Sequence, residues 1–177
     1  INAALTGHLV LSTLHTNSAS GAVPRLIDMK AEPFLISSTL NIIVAQRLVR
    51  KLCDEKEKYF LSDSEIKNLE KYCDSARILR ILTEEKLAKP KTTLKQMPFF
   101  RPKPTKESPD GYKGRIGIYE VLPVTETIKD LIVKLATSDQ IQAQAQKEGM
   151  ITMIEDGFIK AVQGITSIEE VLRVIVE

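Results

Sequence analysis

The chain has 177 residues, 43% of them hydrophobic, with a formal net charge of +2. That length supports one or two packed cores, and the charge balance gives no global reason to expect nucleic acid. No apolar run approaches the ~20 residues of a membrane helix, and two cysteines, Cys53 and Cys73, build no disulfide framework.

Ile1-Asn2-Ala3-Ala4-Leu5-Thr6 reads as the last turns of a helix, so the chain is expected to be a piece of something longer. Residues 8 to 14 follow as an apolar run ending in hydroxyls, an imidazole and an amide (Ser12, Thr13, His15, Thr16, Asn17). The pattern predicts a buried parallel strand that delivers polar groups to a site at its carboxyl end. Thr16, Asn17 and Ser18 are good N-caps. They predict a helix with Ala22, Val23, Leu26 and Ile27 on its apolar face and Pro24 tolerated near its start. Pro33 opens a second helix, and Gln46 to Leu52 alternates as a strand does.

Residues 53 to 110 change character. The first part is charged with helical propensity. The second, 89 to 110, holds five of the eight prolines, and between Lys89 and Lys106 there are six basic residues and no acid. This reads as a solvated loop or loosely ordered excursion rather than a core element. Order resumes at Gly111, with a strand over 114 to 122. Helices are predicted over 125–135, 138–147, 151–162 and 167–175, forming a small helical subdomain at 124–177. Ser138 and Ser167 serve as N-caps, with Glu170 completing a capping box, and Gly149 and Gly164 fit C-terminal caps.

Several strings together carry a family resemblance: ALTGHLVLSTLHTNSA at 4–19, RLIDM at 25–29, AQRLVRKLC at 45–53, GYKGRIGIYEVL at 111–122 and the tail from Met153 to Val174. The chain resembles the carboxyl-terminal part of the secretion-superfamily motor ATPases, in the branch of type IV pilus assembly and type II secretion ATPases. Residues 54–110 are the weak part of the likeness. The resemblance implies an α/β fold: the C-terminal part of a RecA-like P-loop domain (1–52), an excursion (53–110), a returning strand (111–123) and the helical tail (124–177). It implies a cytoplasmic motor peripheral to the inner membrane. That motor would hydrolyse ATP with Mg²⁺, form a homo-oligomeric, hexameric ring, and act on an inner-membrane platform protein, with no nucleic acid.

In that family the first string is the histidine box, which follows the Walker B acid. No G-x-x-x-x-G-K-[ST] occurs in these 177 residues, so the phosphate cradle and the Mg²⁺ hydroxyl are not among them, and this piece alone is expected to be inactive. A strand of seven residues at ~3.3 Å each would separate His8 from His15 by roughly 23 Å, too far to share one phosphate. His15 is the candidate to contact the γ-phosphate or orient water, with a cap-adjacent histidine bonding local backbone as the alternative; His8 is assigned a structural or subunit-contact role. Thr13 and Thr16 read either as site hydroxyls or as packing and capping groups, and Asn17 as a cap. Arg47, Arg50 and Arg115 are candidates for phosphate, with a surface ion pair as the alternative for each. Gly114 and Gly117 allow close backbone approach or simply packing.

Many assembly-type relatives carry two C-x-x-C pairs that bind zinc. Here the first would be Cys53 and Lys56, the second Pro104 and Glu107. Three of four ligands are missing, so no zinc is expected. Two alternatives remain: a non-enzymatic subunit-interaction module, and a retraction or DNA-transfer ATPase of the same superfamily.

Overall fold

A computed structural model describes residues 1–176 as a mixed α/β chain. Helices α1 (Asn2–Leu5), α2 (Ala22–Asp28) and α3 (Pro33–Thr39) precede strand β1 (Ile42–Leu52). Strand β2 (Lys56–Tyr59), helices α4 (Asp63–Leu69) and α5 (Ser75–Glu84), a 3-10 turn (Leu94–Gln96) and strand β3 (Phe99–Pro102) follow. Strand β4 (Tyr112–Pro123) leads into α6 (Glu126–Val133), α7 (Ser138–Lys147), α8 (Met153–Val162) and α9 (Ile168–Val176). Among the described residues no helix is long and apolar enough to cross a membrane.

The described strands form two two-stranded sheets, β1–β4 and β2–β3. In the first, Val124 N–H donates to Asn41 O and Cys53 N–H to Gly111 O. Each bond joins the start of one strand to the end of the other, so the pair is antiparallel. The second is also antiparallel, with Lys58 opposite Phe100 and Tyr59 opposite Phe99.

The chain divides into two compact units. The first comprises residues 1–46 and 119–152. Its core gathers Val23 and Ile36 with Leu122, Ile128, Ile132, Ile141 and Ala145. Ile128 and Ile132 share one face of α6 at a spacing of four, and each fully buried isoleucine stabilises by roughly 1.5–3 kcal/mol relative to exposure. Helix α3 starts on Pro33 at its first position, where no backbone donor is lost. Helix α7 ends at Gly149, whose φ of +101° lets Gly149 N–H reach Gln146 O and Met150 N–H reach Ala145 O.

The second unit comprises residues 47–118 and those from Met153 onward. Phe99 is fully buried in its core among Leu61, Ile78, Leu82, Leu94, Met97 and Phe158. Its ring lies 6.2 Å from that of Tyr59 and meets Phe158 edge-on at 6.3 Å. Helices α8 and α9 approach at Gly157, where any Cβ would collide with the buried Val171 side chain.

Two expectations are corrected. Residues 8–14 form no strand: Leu9 and Leu11 are each 88% exposed. A strand needs neighbours for its N–H and C=O groups, and among the described residues none pairs with this segment. The 89–110 stretch is not merely a solvated loop, because Leu94, Met97 and Phe99 are core residues and 99–102 pair with β2. Of the helices after β4, α6 and α7 belong to the first unit and α8 and α9 to the second.

Candidate functional site

In the first unit, Thr13 and His15 are exposed and Thr16 is half-buried, on a segment that is neither helix nor strand. His8 folds back on the end of α1, its Nδ1 3.1 Å from Thr6 Oγ1 and 3.2 Å from Ala3 O. From residue 16 the chain becomes tied. Thr16 Oγ1 donates to Ser18 O at 3.1 Å, and Gly21 N–H donates to Ser18 Oγ at 3.1 Å. Ser18, one of the three expected caps, accepts an N–H at the entry to α2. Ser20 Oγ donates to Gln142 Oε1 at 3.3 Å, and Ala19 N–H donates to Glu120 Oε1 at 2.8 Å.

Glu120 is a residue the sequence reading passed over. It sits on β4 at an inward position, 3% exposed, two residues from Ile118 and two from Leu122, both fully buried. The signal was present in the sequence: a carboxylate at an inward step of an apolar alternation needs a donor to compensate its burial.

In the second unit, Arg47 on β1 and Arg115 on β4 are exposed, and Gly117 on β4 is buried. Gly114 takes φ +76°, with open space where a Cβ would stand. Arg50 meets the ion-pair alternative. Its Nη2 donates to Glu170 Oε1 at 2.5 Å, its backbone N–H to Glu170 Oε2 at 3.1 Å and its Nη1 to Asp110 Oδ2 at 3.2 Å. The guanidinium also lies over the Tyr112 ring, 4.2 Å from the centroid. Arg173 adds two bonds of 3.0 Å to Glu170. Burial opposes ionisation of Glu170, but the bonds from Arg50 and Arg173 outweigh it and hold its pKa at about 2. The expected capping box at Ser167 is half formed: Glu170 N–H reaches Ser167 Oγ at 3.3 Å, while the Glu170 carboxylate serves the arginines instead.

These groups are committed to structure. A carboxylate ionised down to pH 2 is a poor general base near neutrality. Burial pushes the Cys73 thiol up to about 11, which removes it as a nucleophile. Among the described residues no three of His, Cys, Asp and Glu stand together as metal ligands. Thr13 and His15 are exposed, Thr16 is turned to its own backbone, and no glycine-rich phosphate loop is in the sequence. By themselves these residues do not fit a triphosphate.

Comparison with known proteins decides the family. The family model described as "Type II/IV secretion system protein" matches residues 1–173. The chain belongs to this family. It is 43% identical over 175 residues to the type II secretion system protein E of Xanthomonas campestris pv. campestris, covering 98% of this chain and 28% of that protein. It is 41% identical over 174 residues to the type II secretion system ATPase E of Vibrio cholerae, covering 98% of this chain and 31% of the relative. It is 38% identical over 174 residues to the type IV pilus assembly ATPase PilB of Pseudomonas aeruginosa, covering 98% and 28%. The chain thus spans about three-tenths of the length of these secretion-family relatives.

Proposed function

We propose that this chain is the C-terminal part of an ATP-hydrolysing motor that powers pilus or pseudopilus assembly, or protein secretion. The observation that carries the reading is identity of 36–43% over at least 97% of the chain to relatives named for type II secretion or type IV pilus assembly, most of them as ATPases. In this reading ATP and Mg²⁺ are held mainly by parts of the whole protein beyond these residues. His15 contacts the γ-phosphate side with Thr13 beside it, while Thr16, Arg47, Arg115 and Gly117 belong to the nucleotide surround. The RecA-like core would be completed by the same parts, and the piece alone would not turn over ATP. The working form is a homo-oligomeric, hexameric ring. It is cytoplasmic, peripheral to the inner membrane and bound to a platform protein there, without nucleic acid. The excursion is held by its own apolar contacts rather than by zinc, a reading supported by Lys56, Pro104 and Glu107 at three of the four ligand positions.

The test is phosphate release by the full-length protein. Mg²⁺-dependent turnover is expected, and His15→Ala should reduce kcat by about 100-fold, within the range for one positioned acid–base group. His8→Ala should cost far less. Absence of Mg²⁺-dependent turnover would overturn the motor reading in favour of an interaction module, and equal effects of the two histidines would overturn the division between them.

A further inference from the structure

We propose that Glu120 is a positioning residue that fixes the segment carrying Thr13, His15 and Thr16 by holding the backbone at Ala19; this rests on the reading that the segment meets the nucleotide. Residues 8–16 have no strand partner among the described residues, so no ladder sets their path. Ala19 and Ser20 are the first fully buried residues of the chain. The bond that receives the segment there is Ala19 N–H to Glu120 Oε1, at 2.8 Å between residues 101 apart in sequence. A buried N–H or carboxyl oxygen left without its partner carries the full cost of desolvation, so this bond is expensive to lose. It acts in a buried site, where Glu120 is 3% exposed.

The tie extends on both sides. Thr16 and Ser18 are bonded to each other, Ser18 Oγ lies 3.2 Å from Ser20 Oγ, and Ser20 reaches Gln142 on α7. His15 is four residues before Ala19, at most about 14 Å of extended chain. The direction in which the segment leaves Ala19 therefore sets where His15 can reach. An apolar residue at 120 would extend the alternation of β4 at lower desolvation cost. The buried carboxyl at 120 grips a main-chain N–H far away in sequence, a contact no apolar residue could make. Phosphoryl transfer depends almost wholly on placement and electrostatics, and a shift of about 1 Å can cost about 100-fold.

The experiment uses the full-length protein and two readouts: ATP turnover, and hydrogen exchange at the Ala19 amide. Glu120→Ala should abolish protection of that amide and lower kcat by about 10- to 100-fold with KM for ATP little changed. Glu120→Gln keeps an oxygen for the N–H and should restore both protection and most of the turnover. The double variant Glu120→Ala with His15→Ala should be no slower than His15→Ala alone, because Glu120 acts through the segment. Should Glu120→Ala not fold, Glu120→Asp shortens the arm by one methylene and should show the same loss of protection in a folded protein. Unchanged Ala19 protection in Glu120→Ala or Glu120→Asp, or additive losses in the double variant, would overturn the proposal. Wild-type turnover in His15→Ala with Ala19 protection lost in Glu120→Ala would instead overturn the nucleotide reading and leave the tether standing.

Discussion

Residues 8–14 and residues 94–102 invert what their compositions suggest. The first is an apolar run whose Leu9 and Leu11 lie 88% exposed. The second is basic and proline-rich, yet buries Leu94, Met97 and Phe99. The difference is the supply of partners. The second stretch pairs with β2 and puts Phe99 between Tyr59 and Phe158, whereas among the described residues the first finds no strand to pair with. Hydropathy measures what a segment gains if covered; it does not say whether anything is there to cover it.

The comparison breaks if the buried aromatic proves dispensable. Phe99→Ala removes a fully buried ring that contacts two other aromatics, and should cost about 3–5 kcal/mol in a urea unfolding series. Against a typical domain stability of about 5–15 kcal/mol this would leave the second unit marginal. A loss below about 1 kcal/mol would mean that the stretch is only draped over the core.

Acid provides a smaller probe of the same packed unit, since residues 8–14 carry no carboxylate. Glu170 fixes α9 to β1 and is held at about 2, below the ordinary 4.5. Its stabilisation is therefore complete above about pH 4.5 and lost as pH falls toward 2. The amount is of the order of 2 kcal/mol, after allowing for the partly exposed arginines around it. Glu170→Gln should weaken the protein at neutral pH and flatten the acid limb of its stability curve. An unchanged acid limb would show that other carboxylates govern it.

What was legible in the sequence was local. The helices after β4 lie near where their caps put them. Gly149 and Gly164 take the positive φ that a helix exit requires, and Pro33 opens α3. The Ser138 cap is displaced by one residue, to Thr137, which completes a capping box with Gln140. The misses needed information from distant partners. Strands β2 and β3 are four residues each, read KEKY and FFRP, and are stabilised by pairing across about forty residues. Sequence proximity to Ser167 makes Glu170 look like a capping acid, whereas its partner Arg50 is 120 residues away. Among the candidate site residues, Arg50 is resolved as an ion-pair partner. Thr13, His15 and Arg115 are on exposed surface that gives them no chemistry by itself.

The smallest expected effect sharpens the comparison most. Leu11→Ala in this 177-residue chain should change stability by no more than about 0.5 kcal/mol, because an exposed side chain has little burial to lose. In the full-length protein the motor reading supplies further parts of the core that can cover residues 8–14. The same substitution should there cost about 2–5 kcal/mol, the ordinary range for deleting a buried leucine. The ratio between the two measurements reports the cover that the rest of the protein provides. A small effect in both would place Leu11 on a true outer surface and remove the cover that the motor reading expects for this run. A large effect already in the short chain would show instead that Leu11 is buried within these 177 residues, contrary to its 88% exposure.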